Sequence, residues 1–366
     1  MTLTAKVVER YCLNPSSQQR QTWHLVFDIM GKCPLFQSGD SVGIYPENNP
    51  VDVELLLDYF RLSPDSAIVD PKTKRIVPAL SWFSTFVEIN RVSRNFVRVL
   101  SERASHACDR EVLKNLLEDR HALEPYSVPR FLRRFVQGGA DFSEVISGFL
   151  PLLPRLYSIS SAPSLCSSQF ELTIARVQTA YPEYVKEGVC STYLIDRLQL
   201  HDSKVRLFFQ ESSHFFFPST DLIMVGAGTG IAPFRSFMQE REVKGEIPRK
   251  CWLFFGEQRR DSDFFYEEFW KKHAEADSLR LSLAFSRDQE EKIYVQHRMW
   301  EERKKLWQWL QDGAALLVCG NAKRMAKDVD AVLIEIASEE GNMTKERAIQ
   351  WIRDLHHQKR YLRDVY

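Results

Sequence analysis

Between Asp221 and Arg241 the chain reads DLIMVGAGTGIAPFRSFMQER, an apolar run followed by glycines at three alternate positions and then a helical pattern. Leu222 to Val225 form the short, uninterrupted apolar stretch typical of a strand buried on both faces of a parallel sheet. Gly226, Gly228 and Gly230 then let the backbone turn sharply and lie close to a bulky anion, and Pro233 carries the fixed φ that suits the first turn of a helix. Unpaired N–H groups and the positive dipole end of that helix, which starts near Ile231, would face the anion. A dinucleotide pyrophosphate is the natural guest of such a seat. The spacing is GxGxGxxP rather than GxGxxG, so the loop by itself is equally a tight turn.

At 366 residues the chain is long for one core and reads as two or three domains. Lys plus Arg and Asp plus Glu both number 49, so no overall field points to nucleic acid or an anionic membrane as the partner. The first residues, MTLTAKVVERYCLN, lack the apolar core of a signal peptide, and no apolar run is long enough to span a bilayer. A cytoplasmic protein is expected. Its seven cysteines (12, 33, 108, 166, 190, 251 and 319) are odd in number and never spaced as CxxC. That spacing predicts reduced thiols, with neither a disulfide framework nor a metal site.

Thr4–Tyr11, Thr22–Ile29 and Ser41–Tyr45 mix β-branched and aromatic residues and are separated by turn signals, which predicts antiparallel strands. From Val51 to about Pro129 the apolar residues fall at helical spacing, as in Leu55, Leu56, Tyr59 and Phe60, with many charges between them. Trp82, Phe83 and Phe86 in this helical insert are expected to be core, and the insert offers no other chemistry. Strand character returns with RLYSISS near Leu156, FELTIARVQ and SKVRLFFQ. After Asp221 the runs LIMVGAG, CWLFFGE, LRLSLAFS and AALLVCGN each precede a helical pattern, the rhythm of a parallel sheet covered on both faces. Helices over Ala326–Glu340 and Thr344–Gln358 and an extended tail, YLRDVY, close the chain.

Four motifs in order carry a resemblance: Arg155-Leu156-Tyr157-Ser158, Gly188-Val189-Cys190-Ser191, the loop Gly226–Pro233, and Cys319-Gly320-Asn321-Ala322. Together they resemble the RxYS, GxCS, pyrophosphate-loop and CG motifs of the ferredoxin-NADP reductase superfamily, in its diflavin-reductase branch. The resemblance covers nearly the whole chain and is similar to the FAD/NADPH module of sulfite reductase flavoproteins and NADPH-cytochrome reductases. It implies a β plus α/β architecture. An antiparallel FAD-binding β-barrel (1–50 and 130–218) would be interrupted by an all-helical connecting insert (51–129) and followed by a parallel-sheet, Rossmann-like NADP-binding domain (219–366). Members of that branch usually begin with an FMN-binding flavodoxin domain, whereas this chain opens directly in the barrel, so FMN or another acceptor is expected on a separate protein.

An Arg and a Tyr two apart on one strand face the same way, so Arg155 and Tyr157 can serve one ligand. By resemblance, Arg155 binds FAD phosphate, Tyr157 stacks on the flavin, and Ser158 hydrogen-bonds near its reactive N5. Gly188, Val189, Cys190 and Ser191 open a helical pattern over Thr192–Leu198 and would meet the FAD pyrophosphate. Gly228, Thr229 and Gly230 would take the NADPH pyrophosphate. Ser286, Arg287, Lys292 and Tyr294 follow the third parallel strand, where two cations, a hydroxyl and a phenol lie within nine residues, and the resemblance assigns them the 2′-phosphate. Arg259 and Asp263 are weaker candidates for ligand or loop-holding roles.

The resemblance further places Cys319 beside the hydride-donating carbon, together with Ser158 and Asp364, and lays the ring of Tyr366 over the flavin as a gate. Asn321 stands where part of the family has Asp. The implied reaction is hydride transfer from NADPH to FAD and then electron transfer to a separate acceptor protein: a sulfite reductase haemoprotein, a flavodoxin, a ferredoxin or a cytochrome. A stand-alone ferredoxin- or flavodoxin-NADP reductase and a non-catalytic flavin-binding scaffold are the alternatives. A flavin-free dehydrogenase would leave the RLYS motif and the β-rich first half without a purpose.

Overall fold

The computed structural model describes residues 2–17, 20–103, 107–119, 121–136, 139–245, 250–322 and 324–366. The chain divides into two compact units, one of Met1–Gly43, Leu156–Ala175 and Gln199–Tyr366, the other of Ile44–Arg155 and Arg176–Leu198.

The first unit opens with an antiparallel sheet of six strands: β1 (Leu3–Cys12), β2 (Thr22–Ile29), β3 (Ser41–Ile44), β4 (Arg155–Ser158), β5 (Gln169–Ala175) and β6 (Lys204–Gln210). Their spatial order is β4-β3-β6-β1-β2-β5. Just past β4, Ile159 bridges back to Leu172 of β5, so the two outer strands meet and the sheet curls into a barrel. Alternation along β2 and β5 sends Leu25, Phe27, Phe170 and Leu172 inward with no exposure.

Five parallel strands follow in the same unit: β7 (Leu222–Ala227), β8 (Cys251–Glu257), β9 (Arg280–Phe285), β10 (Ala315–Gly320) and β11 (Tyr361–Val365), in the order β9-β8-β7-β10-β11. The tail expected only to be extended is therefore the fifth strand. Period-2 alternation gives each face its own core: Ile223, Val225, Trp252, Phe254, Leu316 and Val318 lie in one cluster, Leu222, Met224, Leu253, Phe255, Leu317 and Cys319 in the other. At about 25 cal/mol per Å2 of apolar surface removed from water, these doubly covered strands hold the scaffold rigid under the loops at their C-terminal ends.

Helices dominate the second unit. Pro50–Phe60 starts where Asn49 accepts a hydrogen bond from Val51 N–H and Pro50 occupies the first turn, and it stops at Arg61 in the left-handed conformation. Its buried face, Val53, Leu56, Leu57 and Phe60, packs with Trp82, Phe83, Phe96, Phe131 and Phe149 in one core. Trp82 and Phe83 are wholly buried and Phe86 partly so, as expected of core aromatics. A hairpin of Gln178–Tyr181 with Tyr184–Glu187 also belongs to this unit.

One expectation fails. Cys33 and Cys166 form a disulfide, although 133 residues separate them and nothing in their spacing announces it. Cys33 follows β2 and Cys166 lies between β4 and β5; folding of the barrel brings these loops together, which spacing along the chain cannot register. The other five cysteines form no disulfide among the described residues. Among the described residues no cluster of His, Cys, Asp and Glu could hold a metal ion, and no helix is long and apolar enough to cross a membrane.

Candidate functional site

The glycine loop is built as its sequence predicts. After β7 the backbone makes one tight turn, Gly228–Ile231, and enters the helix Ala232–Lys244 with Pro233 in its first turn. Two of the glycines are obligatory for different reasons. Gly228 has φ +58°, and Gly230 lies so close to the end of β10 that a methyl group there would sit 2.1 Å from Cys319 O. The result is a helix N-terminus behind a bare glycine backbone, which suits a diphosphate.

The C-terminal ends of β10 and β11 complete this edge. Their parallel register pairs Cys319 with Asp364. Asp364 Oδ2 accepts a hydrogen bond from Ser158 Oγ at 3.1 Å and lies 3.9 Å from Cys319 Sγ. Three residues far apart in sequence and assigned together by resemblance thus converge. Burial pushes the Asp364 carboxyl above its usual range against the opposing pull of the Ser158 hydrogen bond. Burial, reinforced by Asp364, holds the Cys319 thiol well above the usual range, so it stays protonated rather than nucleophilic.

Tyr366 is fixed at three points. Its N–H donates to Gly320 O at 3.0 Å, its carbonyl accepts from Ala322 N–H at 2.9 Å, and its hydroxyl shares a 2.7 Å hydrogen bond with the Thr229 hydroxyl of the glycine loop. Main-chain bonds secure the backbone while the exposed ring depends on one polar contact.

Residues 286–294 form the loop between β9 and the helix Val295–Glu301. Ser286 N–H and hydroxyl both donate to Glu257 O, at 2.9 and 3.2 Å, which docks the start of this loop on the end of β8. Beyond that anchor Arg287, Lys292 and Tyr294 are exposed. Asp263 is a loop-holding residue, accepting from Arg259 N–H at 3.0 Å and from Asn14 Nδ2 at 2.8 Å.

In the second unit, Gly188 caps the short helix Val189–Thr192, which continues as a π turn over Tyr193–Arg197. The helix predicted from Thr192 therefore starts three residues earlier, at Val189. Gly188 is required by contact: a methyl group there would meet Val177 Cβ at 2.7 Å. The Ser191 hydroxyl accepts from Val177 N–H at 3.1 Å and faces Gly188 O at 3.4 Å, while Cys190 is buried. Arg155 donates to Glu88 Oε2 at 3.0 Å and to Leu153 O at 2.6 Å. Tyr157, two residues on, is half-buried.

Gly188, Val189 and Thr192 line a cavity of about 1170 Å3 that lies wholly within this unit. Sequence reasoning missed its other walls. Arg130, Arg133, Arg134, Lys186 and Arg197 all border it, and none of them was singled out from the stretch 130–218 in which they lie. Arg130 stands 4.1 Å from the centre of the Tyr184 ring, and Arg197 donates to Glu47 O and Val189 O at 2.7 and 3.0 Å. Burial lowers the Lys186 ammonium below its usual range, and its hydrogen bonds to Glu124 O and Tyr126 O keep it in place. Asn48 Oδ1, Ser127 Oγ, Tyr184 OH and Arg197 Nε, all on lining residues, are buried with no partner among the described residues. Cations, aromatic faces and unsatisfied polar atoms in a cavity of this size fit an anionic, aromatic cofactor. A run such as VPRFLRRF carried the signal, but it is indistinguishable in sequence from a solvated helix face.

Comparison with known proteins agrees with this geometry. Residues 1–193 match the FAD binding domain family, and residues 224–331 match the oxidoreductase NAD-binding domain family. The chain is similar to the sulfite reductase [NADPH] flavoprotein alpha-component of Bacillus subtilis (strain 168), with 38% identity over 372 residues, 99% of this chain and 60% of that protein. The proteins of that name from Cronobacter sakazakii (strain ATCC BAA-894) and Vibrio cholerae serotype O1 (strain ATCC 39315 / El Tor Inaba N16961) are 35% and 38% identical, over 100% and 94% of this chain and 60% and 56% of their own lengths. The chain thus spans about 60% of the first of these relatives.

Proposed function

Because the chain belongs to the FAD binding domain family, in the form of the ferredoxin-NADP reductase-like module of diflavin reductases, we propose that it is an NADPH-dependent flavin oxidoreductase that passes electrons through FAD to a separate acceptor protein. The relatives' name, sulfite reductase [NADPH] flavoprotein alpha-component, supports a haemoprotein of the sulfite reductase type as that acceptor. Cytoplasmic operation belongs to the same reading, since reduced nicotinamide dinucleotide is an intracellular donor.

Bound flavin supplies the change from two-electron to one-electron chemistry. The residues of the chain supply binding, order and proton placement. We assign the FAD phosphates to Arg155 and to Gly188–Ser191, with Arg130 and Arg197 as further cations, and the flavin ring to Tyr157 and Tyr366. Gly228, Thr229 and Gly230 would seat the NADPH diphosphate, and Ser286, Arg287, Lys292 and Tyr294 its 2′-phosphate. Ser158 Oγ and Asp364 Oδ2 hold a proton between them, with Cys319 as a small, protonated neighbour. No side chain is needed as a nucleophile. In domain terms, 1–50 and 130–218 serve FAD, 51–129 is the connecting insert, and 219–366 serves NADPH.

The observation that carries this reading is the convergence of Ser158, Asp364 and Cys319 beside a glycine loop that also holds the hydroxyl of Tyr366. The test is to purify the protein, record its spectrum, and follow NADPH-dependent reduction first of ferricyanide and then of a sulfite reductase haemoprotein. A yellow protein reducing both is expected. Protein that stays colourless when FAD is supplied refutes the assignment, and reduction of ferricyanide without the haemoprotein overturns the acceptor.

A further inference from the structure

Glu257 is the last residue of β8, the strand beside β7. Their parallel register sets Ala227 opposite Gly256, so Gly228, the first residue past β7, and Glu257 each follow a paired residue at the sheet edge. A methyl group added at Gly228 would lie 3.3 Å from Glu257 Oε1. The carboxyl therefore forms part of the wall of the glycine loop. That is an unexpected group for this wall, because every other feature of the loop attracts negative charge.

Its surroundings define its charge. Oε2 accepts the Gln258 N–H at 2.7 Å, leaving Oε1 on the loop side. From the short helix after β8, the buried carboxylate of Asp263 adds like charge; from the β1–β2 connection Arg20, and from the loop after β9 Arg287, oppose it. Burial outweighs both cations, and the Glu257 carboxyl is pushed above its usual range before any ligand arrives. A diphosphate on the loop adds negative charge a few ångströms from Oε1, close enough for the two charges to repel.

We propose that Glu257 couples dinucleotide binding to proton uptake: with the diphosphate on the Gly228–Gly230 loop, Glu257 is the neutral acid and turns a hydrogen-bond donor, instead of a charge, toward it. This rests on the proposed seating of NADPH on that loop. One proton enters from solvent as the dinucleotide binds and returns as it leaves, with no change in redox state. The sign follows from linkage. Below the ligand-free pKa of Glu257 the acid is already protonated and affinity does not depend on it. Above that pKa each bound dinucleotide must draw a proton, and affinity falls with rising pH, by up to about tenfold per unit. A carboxylate at such a strand end can instead accept from a ribose hydroxyl. In that case removing its charge weakens binding at every pH.

The test uses flavin-loaded protein titrated with NADP+ from pH 6 to 9, in wild type and Glu257→Gln. Gln keeps an oxygen that can accept the Gln258 N–H, so the wall stays intact. Calorimetry in two buffers of different ionisation enthalpy counts protons at pH 8, where the ligand's 2′-phosphate, with a second pKa of about 6, no longer titrates. The expected result is a wild-type Kd that rises with pH relative to the variant, by at least about tenfold over two units, with net proton uptake in wild type and none in Glu257→Gln. Parallel pH profiles, or weaker binding by Glu257→Gln throughout, overturn the proton coupling while leaving the loop as a dinucleotide seat. No saturable NADP+ binding by either protein overturns the seating itself and the coupling with it. Should Glu257→Gln fail to load flavin, the wild-type proton count decides alone, and zero uptake overturns the proposal.

Discussion

The hydroxyls of Tyr366 and Thr229 share a 2.7 Å hydrogen bond, so the residue assigned to cover the flavin is tied to the loop assigned to the dinucleotide. Opening the ring therefore means breaking a contact on the very loop proposed to seat the incoming ligand. Tyr366→Phe keeps the ring and both main-chain bonds and removes only this tie, about 1 kcal/mol. Stopped-flow flavin reduction by NADPH is expected to accelerate up to about fivefold, the rate equivalent of that energy. An unchanged rate would mean that the tie does not hold the ring.

Arg287 and Lys292 are exposed cations on the loop after β9, beyond the point where Ser286 docks on Glu257. Each charge-assisted contact with a 2′-phosphate is worth about 1.5–3 kcal/mol. Arg287→Ala and Lys292→Ala should each raise the KM for NADPH by roughly ten- to a hundredfold while sparing NADH. Equal losses with both nucleotides would remove these residues from the 2′-phosphate site.

Gly230 touches the end of β10, and a methyl group there would sit 2.1 Å from a backbone oxygen that cannot rotate away. Gly230→Ala is expected to force the loop off β10 at a cost of about 1–3 kcal/mol and to abolish NADP+ binding while FAD is retained. Equilibrium binding of NADP+ alongside a denaturation curve checks both halves.

Arg130 faces the Tyr184 ring and borders the cavity of the helical unit. Its removal should weaken FAD retention about tenfold or more, seen as flavin loss on dilution, with little effect on folding, because the guanidinium belongs to no core cluster. Retention unchanged from wild type would place the FAD phosphates elsewhere.

Asp364 has its carboxyl pKa raised by burial, so the ionised form lowers stability at neutral pH, and that loss is recovered as pH falls through the folded-state value. Asp364→Asn should accordingly raise the thermal midpoint at pH 8 and lose most of that advantage in acid. Because Ser158 then faces a neutral amide instead of a carboxylate, flavin reduction should slow by about a hundredfold. A variant neither more stable at pH 8 nor slower would separate Asp364 from the reaction.

How far the sequence could be read depended on the range of each signal. The strand, glycine turn and helix around Gly228 are encoded within one short stretch, and period 2 giving way to period 3.6 shows them directly. Cys319, Asp364 and Ser158 lie together in the structure, but only resemblance had grouped them, since no local pattern relates residues that share only an edge of a sheet. Arg130 and Arg197 escaped for a related reason: a cation on a helix has the same sequence signature whether it faces water or a cavity. The Cys33–Cys166 bond depends on the closure of the barrel and was invisible to spacing. The tail looked merely extended because five residues show alternation without revealing the neighbour they pair with.

That neighbour gives the tail a further property. β11 lies at the sheet margin and, among the described residues, pairs only with β10, so its alignment is set by the length of the connection that delivers it after His357. One residue inserted at Gln358–Arg360 would slide the strand by a step, present Arg363 to Cys319, and carry the carboxylate and the terminal ring past their stations together. The reactive corner is thus addressed by counting: a length mutation in an exposed turn, altering no functional side chain, would disable it as thoroughly as replacing Asp364.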